Sequence, residues 1–193
     1  MPMRTFLAVD LDEPTRASLA ELAGKVSPTL GKMKFVAPEN LHVTMKFLGD
    51  VPDEVVRDVC EAAERAATRL SPFDVSVSGL SFVPPKGRRL RMIWANVRDE
   101  SGGLRRLFDE LELELGELGY PPEPREFAPH VTLARVKVAR DAGAVRAALS
   151  DVEQRDFGLV SVGNLTVYRS ELTRRGPVYT PMARPGFGTG GGG

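Results

Sequence analysis

The sequence predicts an α+β protein of two related lobes, and three observations lead there. Strand-like and helix-like stretches follow in the order β-α-β-β-α-β in the front part, and a comparable order recurs behind it. Each part places a histidine-bearing strand after a helix. The two copies lie far apart and there are only two, which rules out a short-period solenoid. With 193 residues, 42% hydrophobic and 27% charged, the chain has the composition of one folded unit and not of a disordered or fibrous one.

Thr5 to Leu11 is an apolar run of strand length. Asp12 then offers an N-cap with Pro14 in the first turn, so a helix follows through about Val26. Met33 to Val36 is a short strand. From Leu41 to Leu48 the pattern alternates: Leu41, Val43, Met45 and Phe47 share one face, His42, Thr44 and Lys46 the other. Between Asp53 and Leu70, residues Val56, Val59, Cys60, Ala63, Ala67 and Leu70 recur at helical spacing and predict a second helix with Cys60 in the core.

Phe73 to Val83 and Leu90 to Val97 are strands separated by the basic loop Pro84-Pro85-Lys86-Gly87-Arg88-Arg89. A stripe of Leu104, Leu107, Phe108, Leu111, Leu115 and Leu118 predicts a third helix ending near Gly119, with Glu110, Glu112, Glu114 and Glu117 mostly off the stripe and in solvent. Proline-rich residues 121–124 lead into a strand from Pro129 to Val138, where Val131 and Leu133 alternate with His130 and Thr132. A short helix, Ala142 to Leu149, precedes strands near Phe157 to Val162, Leu165 to Tyr168 and Val178 to Met182. The glycine-rich end, 186–193, reads as a flexible tail outside a single domain of residues 1–185.

Lys and Arg together number 26 and so do Asp and Glu, so no global positive field holds the chain on nucleic acid and any such chemistry must be local. One cysteine, Cys60, makes neither an intramolecular disulfide nor a zinc cage. No signal-like h-region or membrane-length apolar run occurs, so a cytoplasmic protein without membrane contact is expected. Walker and Rossmann glycine patterns are missing, which disfavours nucleotide triphosphate hydrolysis.

The two histidines of the chain sit in matching tetrads, His42-Val43-Thr44-Met45 and His130-Val131-Thr132-Leu133. The chain holds only 10 threonines, so a threonine two places after each histidine is not a matter of chance. A spacing of two puts imidazole and hydroxyl side by side on one strand face while the residue between is buried. Each strand thus offers a proton-transfer group and a small hydrogen-bonding group to one ligand. A metal site would need added carboxylates such as Asp50, and no His-Glu-x-x-His spacing occurs, so neither metal nor cofactor is expected. Two opposed imidazoles suit in-line displacement at phosphorus: one takes a proton from the attacking water, the other gives one to the departing oxygen. Thr44 and Thr132 would hold the non-bridging oxygens.

The segments running from Glu39 to Gly49 and from Phe127 to Arg135 closely resemble the paired motifs of the 2H phosphoesterase superfamily, and within it the RNA 2′,3′-cyclic phosphodiesterases historically called 2′-5′ RNA ligases. The resemblance runs from Thr5 to about Pro185. It implies a bilobal α+β fold with two pseudo-symmetric antiparallel sheets lining a central cleft and helices packed outside. It also implies opening of an RNA terminal 2′,3′-cyclic phosphate to a 2′-phosphate, with His42 as proton donor and His130 as acceptor. Near-symmetry of the tetrads leaves those two roles undecided by the residues alone.

Arg135 matches the family arginine after the second tetrad, yet counting by two from His130 reaches Ala134, so a bulge or a strand end is needed to turn Arg135 to the cleft. Lys46 has the right parity for a substrate contact. Lys86, Arg88, Arg89 and Arg91 are candidates for the RNA backbone. Phe47, Trp94 and Tyr168 are candidates to stack a base, although Phe47 has core parity and Trp94 sits in an apolar strand, so burial is expected for both. Expected partners are RNA ends or small nucleoside 2′,3′-cyclic phosphates, bound by a monomer. Two rival readings stay open: a relative that cleaves RNA by 2′-hydroxyl attack, and a non-catalytic RNA-end binding module.

Overall fold

The computed structural model describes residues 2–30, 33–86, 89–136, 142–174 and 176–188. Strand β1 (Met3–Asp10) leads to helix α1 (Glu13–Leu30), β2 (Met33–Phe35), β3 (His42–Val51) and α2 (Val56–Thr68). Next come β4 (Phe73–Val83), β5 (Met92–Arg98), α3 (Gly103–Glu117) and β6 (His130–Val136). The chain closes with α4 (Ala142–Leu149), β7 (Asp156–Val162), β8 (Thr166–Thr173) and β9 (Gly176–Ala183). Every strand and helix expected from the sequence is present, and Asp12 caps α1 by accepting the Thr15 N–H at 3.1 Å.

All strand pairs are antiparallel, in the order β7-β4-β5-β6-β3-β1-β8-β9, with β2 also on β6. The α+β class holds. The sheets of the two expected lobes are β7-β4-β5-β6 and β3-β1-β8-β9, and they join into one path where Val43 pairs with Val131. Along that edge of β6, β2 occupies the stretch from Ala134 to Val136 and β3 the stretch nearer His130. Val43 and Val131 are both fully buried, so the junction lies in the core.

Helix α2 turns Val59, Ala62, Ala63, Ala66 and Ala67 inward and packs on α3, its alanines allowing a close approach. Arg65 of α2 and Arg69 at its C-cap each reach Glu114 at 2.6 Å, and Arg69 reaches Glu110 at 2.6 Å. Glu114 is 3% exposed, so the solvated acidic face expected of α3 is corrected there: the helix pair covers the carboxylate and two guanidiniums neutralise it. Cys60 is half-buried against the core.

Each histidine strand carries a bulge at the last residue of its tetrad. In β3, Thr44 pairs with Ala8 but Lys46 with Leu7, so Met45 is the extra residue. In β6, Thr132 pairs with Trp94 but Ala134 with Ile93, so Leu133 is extra. The consequence is a parity flip: Met45 and Lys46 are both buried, Leu133 and Ala134 are both buried, and Phe47 and Arg135 both emerge. Regular alternation therefore misassigns two residues. Phe47 is 61% exposed instead of core, and Lys46 is 6% exposed instead of facing a ligand. The Lys46 ammonium donates to Glu112 Oε1 at 2.5 Å and to the Pro121 carbonyl at 2.9 Å, so its expected substrate contact is corrected.

Residues 186–188, assigned to a flexible tail from the sequence, are held against the fold. Gly186 bridges Asn164, the Phe187 N–H donates to the Gly163 carbonyl at 2.8 Å, and the Phe187 ring stacks on Phe73 at 5.7 Å. One aromatic side chain supplies enough apolar contact to dock residues 186–188 despite their glycines; residues 189–193 lie outside those described, as do residues 137 and 138 of the strand expected to end there. Among the described residues no helix is long and apolar enough to cross a membrane.

Replacing Lys46 by Ala removes the partner of a largely buried Glu112 carboxylate, whose side chain is 16% exposed. Urea unfolding should show a loss of about 3 kcal/mol. A loss below about 0.5 kcal/mol, the level of an exposed pair, would contradict the buried assignment.

Candidate active site

The antiparallel pairing of Val43 with Val131 sets His42 opposite Thr132 and Thr44 opposite His130 in register. The four polar residues of the two tetrads therefore share one face around a local two-fold. Both imidazoles are fixed in the same way. His42 Nδ1 lies 2.8 Å from the Asn40 carbonyl and His130 Nδ1 lies 2.8 Å from the Ala128 carbonyl, in each case two residues back. A carbonyl only accepts, so Nδ1 carries the hydrogen in both rings, and Nε2 is left to accept when neutral and to donate when protonated. His42 Nε2 stands 3.0 Å from Thr44 Oγ1.

Burial pushes both imidazoles below the ordinary histidine value, as removal of water penalises the charged form. For His42, the Asn40 carbonyl and the Asp10 carboxylate oppose that shift, whereas His130 and Arg135 reinforce it. For His130, the Ala128 carbonyl opposes it and Arg135 reinforces it. Arg135 acts on both rings because the bulge at Leu133 turns it to their face, which meets the condition its parity imposed.

Aromatic rings frame the pair. Trp94, half-buried on β5, stacks on His130 with centroids 3.7 Å apart and planes 20° apart, so one face of the indole is taken by the imidazole. Around His42 stand Phe6 at 5.0 Å, Tyr179 at 5.5 Å and Tyr168 at 6.5 Å, and the exposed Phe47 leans on Phe6 at 5.6 Å. Tyr168 reaches the site through another residue: its hydroxyl donates to Asp10 Oδ1 at 2.7 Å, and burial with that carboxylate pushes the phenol up to about 12.

Of the basic loop, Arg89 is exposed, Lys86 is exposed and Arg88 lies outside the described residues. The Val136 N–H donates to the Arg91 carbonyl at 2.8 Å, so this connection sits at the Arg135 end of the cleft, several residues from the imidazoles. The sequence pattern did not reveal Lys34, the register partner of Arg135 on β2, or Asp10, the partner of His42 on β1. Lys34 carries no signal in the sequence, because only tertiary pairing brings β2 to β6. Asp10 carries a weak one, a charge ending an otherwise apolar strand.

A family model described as LigT like phosphoesterase matches residues 9–94 and 97–179. Among curated relatives, the RNA 2′,3′-cyclic phosphodiesterase of Methanothermobacter thermautotrophicus is 34% identical over 184 residues, covering 94% of this chain and 97% of the relative. That of Aeropyrum pernix is 38% identical, covering 85% and 92%. Among solved structures, TT0787 of Thermus thermophilus matches with a TM-score of 0.81 at 34% identity, covering 95% of this chain and 97% of that one. E. coli LigT complexed with 3′-AMP matches at 0.76 with 28% identity, covering 97% and 99%. With both halves of the chain matched, one tetrad in each, this protein belongs to the LigT-like phosphoesterase family.

Proposed function

We propose that this chain hydrolyses the terminal 2′,3′-cyclic phosphate of RNA, or of a small nucleoside 2′,3′-cyclic phosphate, to a 2′-phosphate. The observation that carries the reading is the pair of imidazoles on one face, each with Nδ1 tied to a carbonyl so that Nε2 is the nitrogen left for proton transfer. Relatives that span nearly the same length are named for this activity, and a similar structure holds a nucleoside monophosphate.

In the proposed step His130 Nε2 takes a proton from a water that attacks phosphorus. The bond from phosphorus to the ribose 3′ oxygen breaks, and His42 Nε2 delivers its proton to that oxygen. Water and cyclic diester are thereby converted to a 2′-phosphomonoester and a free 3′-hydroxyl, with no net proton lost from the histidine pair. Thr44, Thr132 and the Arg135 guanidinium face the non-bridging oxygens, where donors stabilise the charge of the transition state. Lys34 and Arg89 extend the positive lining toward the RNA strand, where contacts to the backbone carry no base preference. The charge balance and the single half-buried thiol support a cytoplasmic setting.

His42→Ala and His130→Ala should each lower kcat on a nucleoside 2′,3′-cyclic phosphate by about a hundredfold or more while melting near the parent temperature, and the parent should keep its rate in EDTA. Residual full activity in both variants, or loss on chelation, would overturn the proposal. Because burial lowers both imidazole values, the free enzyme loses the donor proton as pH rises through the region below about 6.5. Hence kcat/KM should peak on the acid side of 6.5 and fall toward pH 8; a profile still climbing at pH 8 contradicts the assignment.

A further inference from the structure

The two halves of the sheet place different charges at equivalent positions beside the two imidazoles. Asp10 is the register partner of His42 across β1 and β3, and Asn96 is the register partner of His130 across β5 and β6. The side chains are nearly isosteric, so the halves differ there by a carboxylate against a neutral amide. We propose that Asp10 is a positioning residue that holds the catalytic proton on His42, making His42 the donor and leaving His130 to accept. This role rests on the function proposed above.

Residues directly opposite in an antiparallel pair stand about 5 Å apart at Cα, so the carboxylate acts on His42 through space although both ring nitrogens bond elsewhere. The carboxylate is itself held rigidly. Tyr168 donates to Oδ1 at 2.7 Å and Thr166 Oγ1 donates to Oδ2 at 2.8 Å, and Thr166 is fully buried. Both donors are neutral, so they orient the carboxylate without cancelling its charge. With its phenol pushed up to about 12, Tyr168 stays a donor across the working pH range.

The groups facing His42 are the Asn40 carbonyl and Thr44 from its own segment, Asp10 and Phe6 from β1, Tyr168 from β8, Tyr179 from β9, and His130 and Arg135 from β6. Arg184 sits beyond, against Tyr168. Among the described residues Asp10 is the sole anion of that set. Those facing His130 are the Ala128 carbonyl, Trp94 and Asn96 from β5, Arg135 from its own strand and His42 from β3, a set that holds no carboxylate among the described residues. Two rings with the same backbone anchoring thus differ by one fixed negative charge, which at His42 works against the deeper burial of that ring. Symmetric pairs cannot assign donor and acceptor; this one can.

The chain has two histidines, so its proton spectrum holds two imidazole Cε1–H resonances, assignable with His42→Gln and His130→Gln. Titrated without substrate, Asp10→Asn should move the His42 midpoint to lower pH and leave His130 in place, while Asn96→Asp should raise His130 alone. In turnover, Asp10→Asn should cut kcat/KM at pH 7.5 about tenfold and recover toward lower pH. Movement of neither resonance in Asp10→Asn, an equal movement of both, or a rate loss independent of pH would overturn the inference. If Asp10→Asn does not fold, the shift in Asn96→Asp decides the matter in the same way. A parent protein that turns over no cyclic phosphate fails the functional proposal instead, and the titration still reads where the proton rests.

Discussion

The antiparallel meeting of β3 and β6 at Val43 and Val131 is the constraint on which the site depends. A pair of buried valines in register fixes where every neighbour on those strands can point. A slip of one residue would send the imidazoles to the helix side and the valines to water, exchanging apolar burial for two desolvated rings. The core therefore enforces the register, and the register places the chemistry. Each half-sheet then holds its own strand from the side, β1 beside β3 with β8 beyond it, β5 beside β6 with β4 beyond it.

The paired bulges do the rest of the positioning. An extra residue at Met45 and at Leu133 lets each strand bury two successive side chains, and the next one emerges on the imidazole face. The two halves use the same backbone device for different ends. In β6 it delivers a guanidinium, Arg135, toward the site of negative charge; in β3 it delivers the apolar Phe47 and turns Lys46 back to pair with Glu112. Shared geometry with unlike side chains gives a two-fold site that is electrically and chemically lopsided, as binding an asymmetric nucleotide end requires.

Burial has opposite consequences at the two kinds of charged group. Glu114 and Lys46 are withdrawn from water and matched at once by an opposite charge, and the pairs knit helix to helix and helix to sheet. The imidazoles are withdrawn and matched by a carbonyl each, with a carboxylate beside His42 alone and the Arg135 cation acting on both, so burial lowers their proton affinity toward the range where a proton is given up readily.

Much was legible in the one-dimensional pattern. The tetrads are visible because chemistry on a strand face repeats every two residues, and the helices because Asp12 and the apolar stripes of α2 and α3 are local signals. Sequence by itself determined the α+β class, the order of elements and the four residues at the centre. Only tertiary structure decided that Phe47 emerges and Lys46 is buried, that Phe187 docks, that Lys34 joins Arg135, and that Asp10 and Asn96 stand at equivalent places. The physical reason is common to all of these: a bulge, a register or a docking contact is set by what packs on the other side of a strand, and a partner far away in the chain leaves no mark on the local pattern.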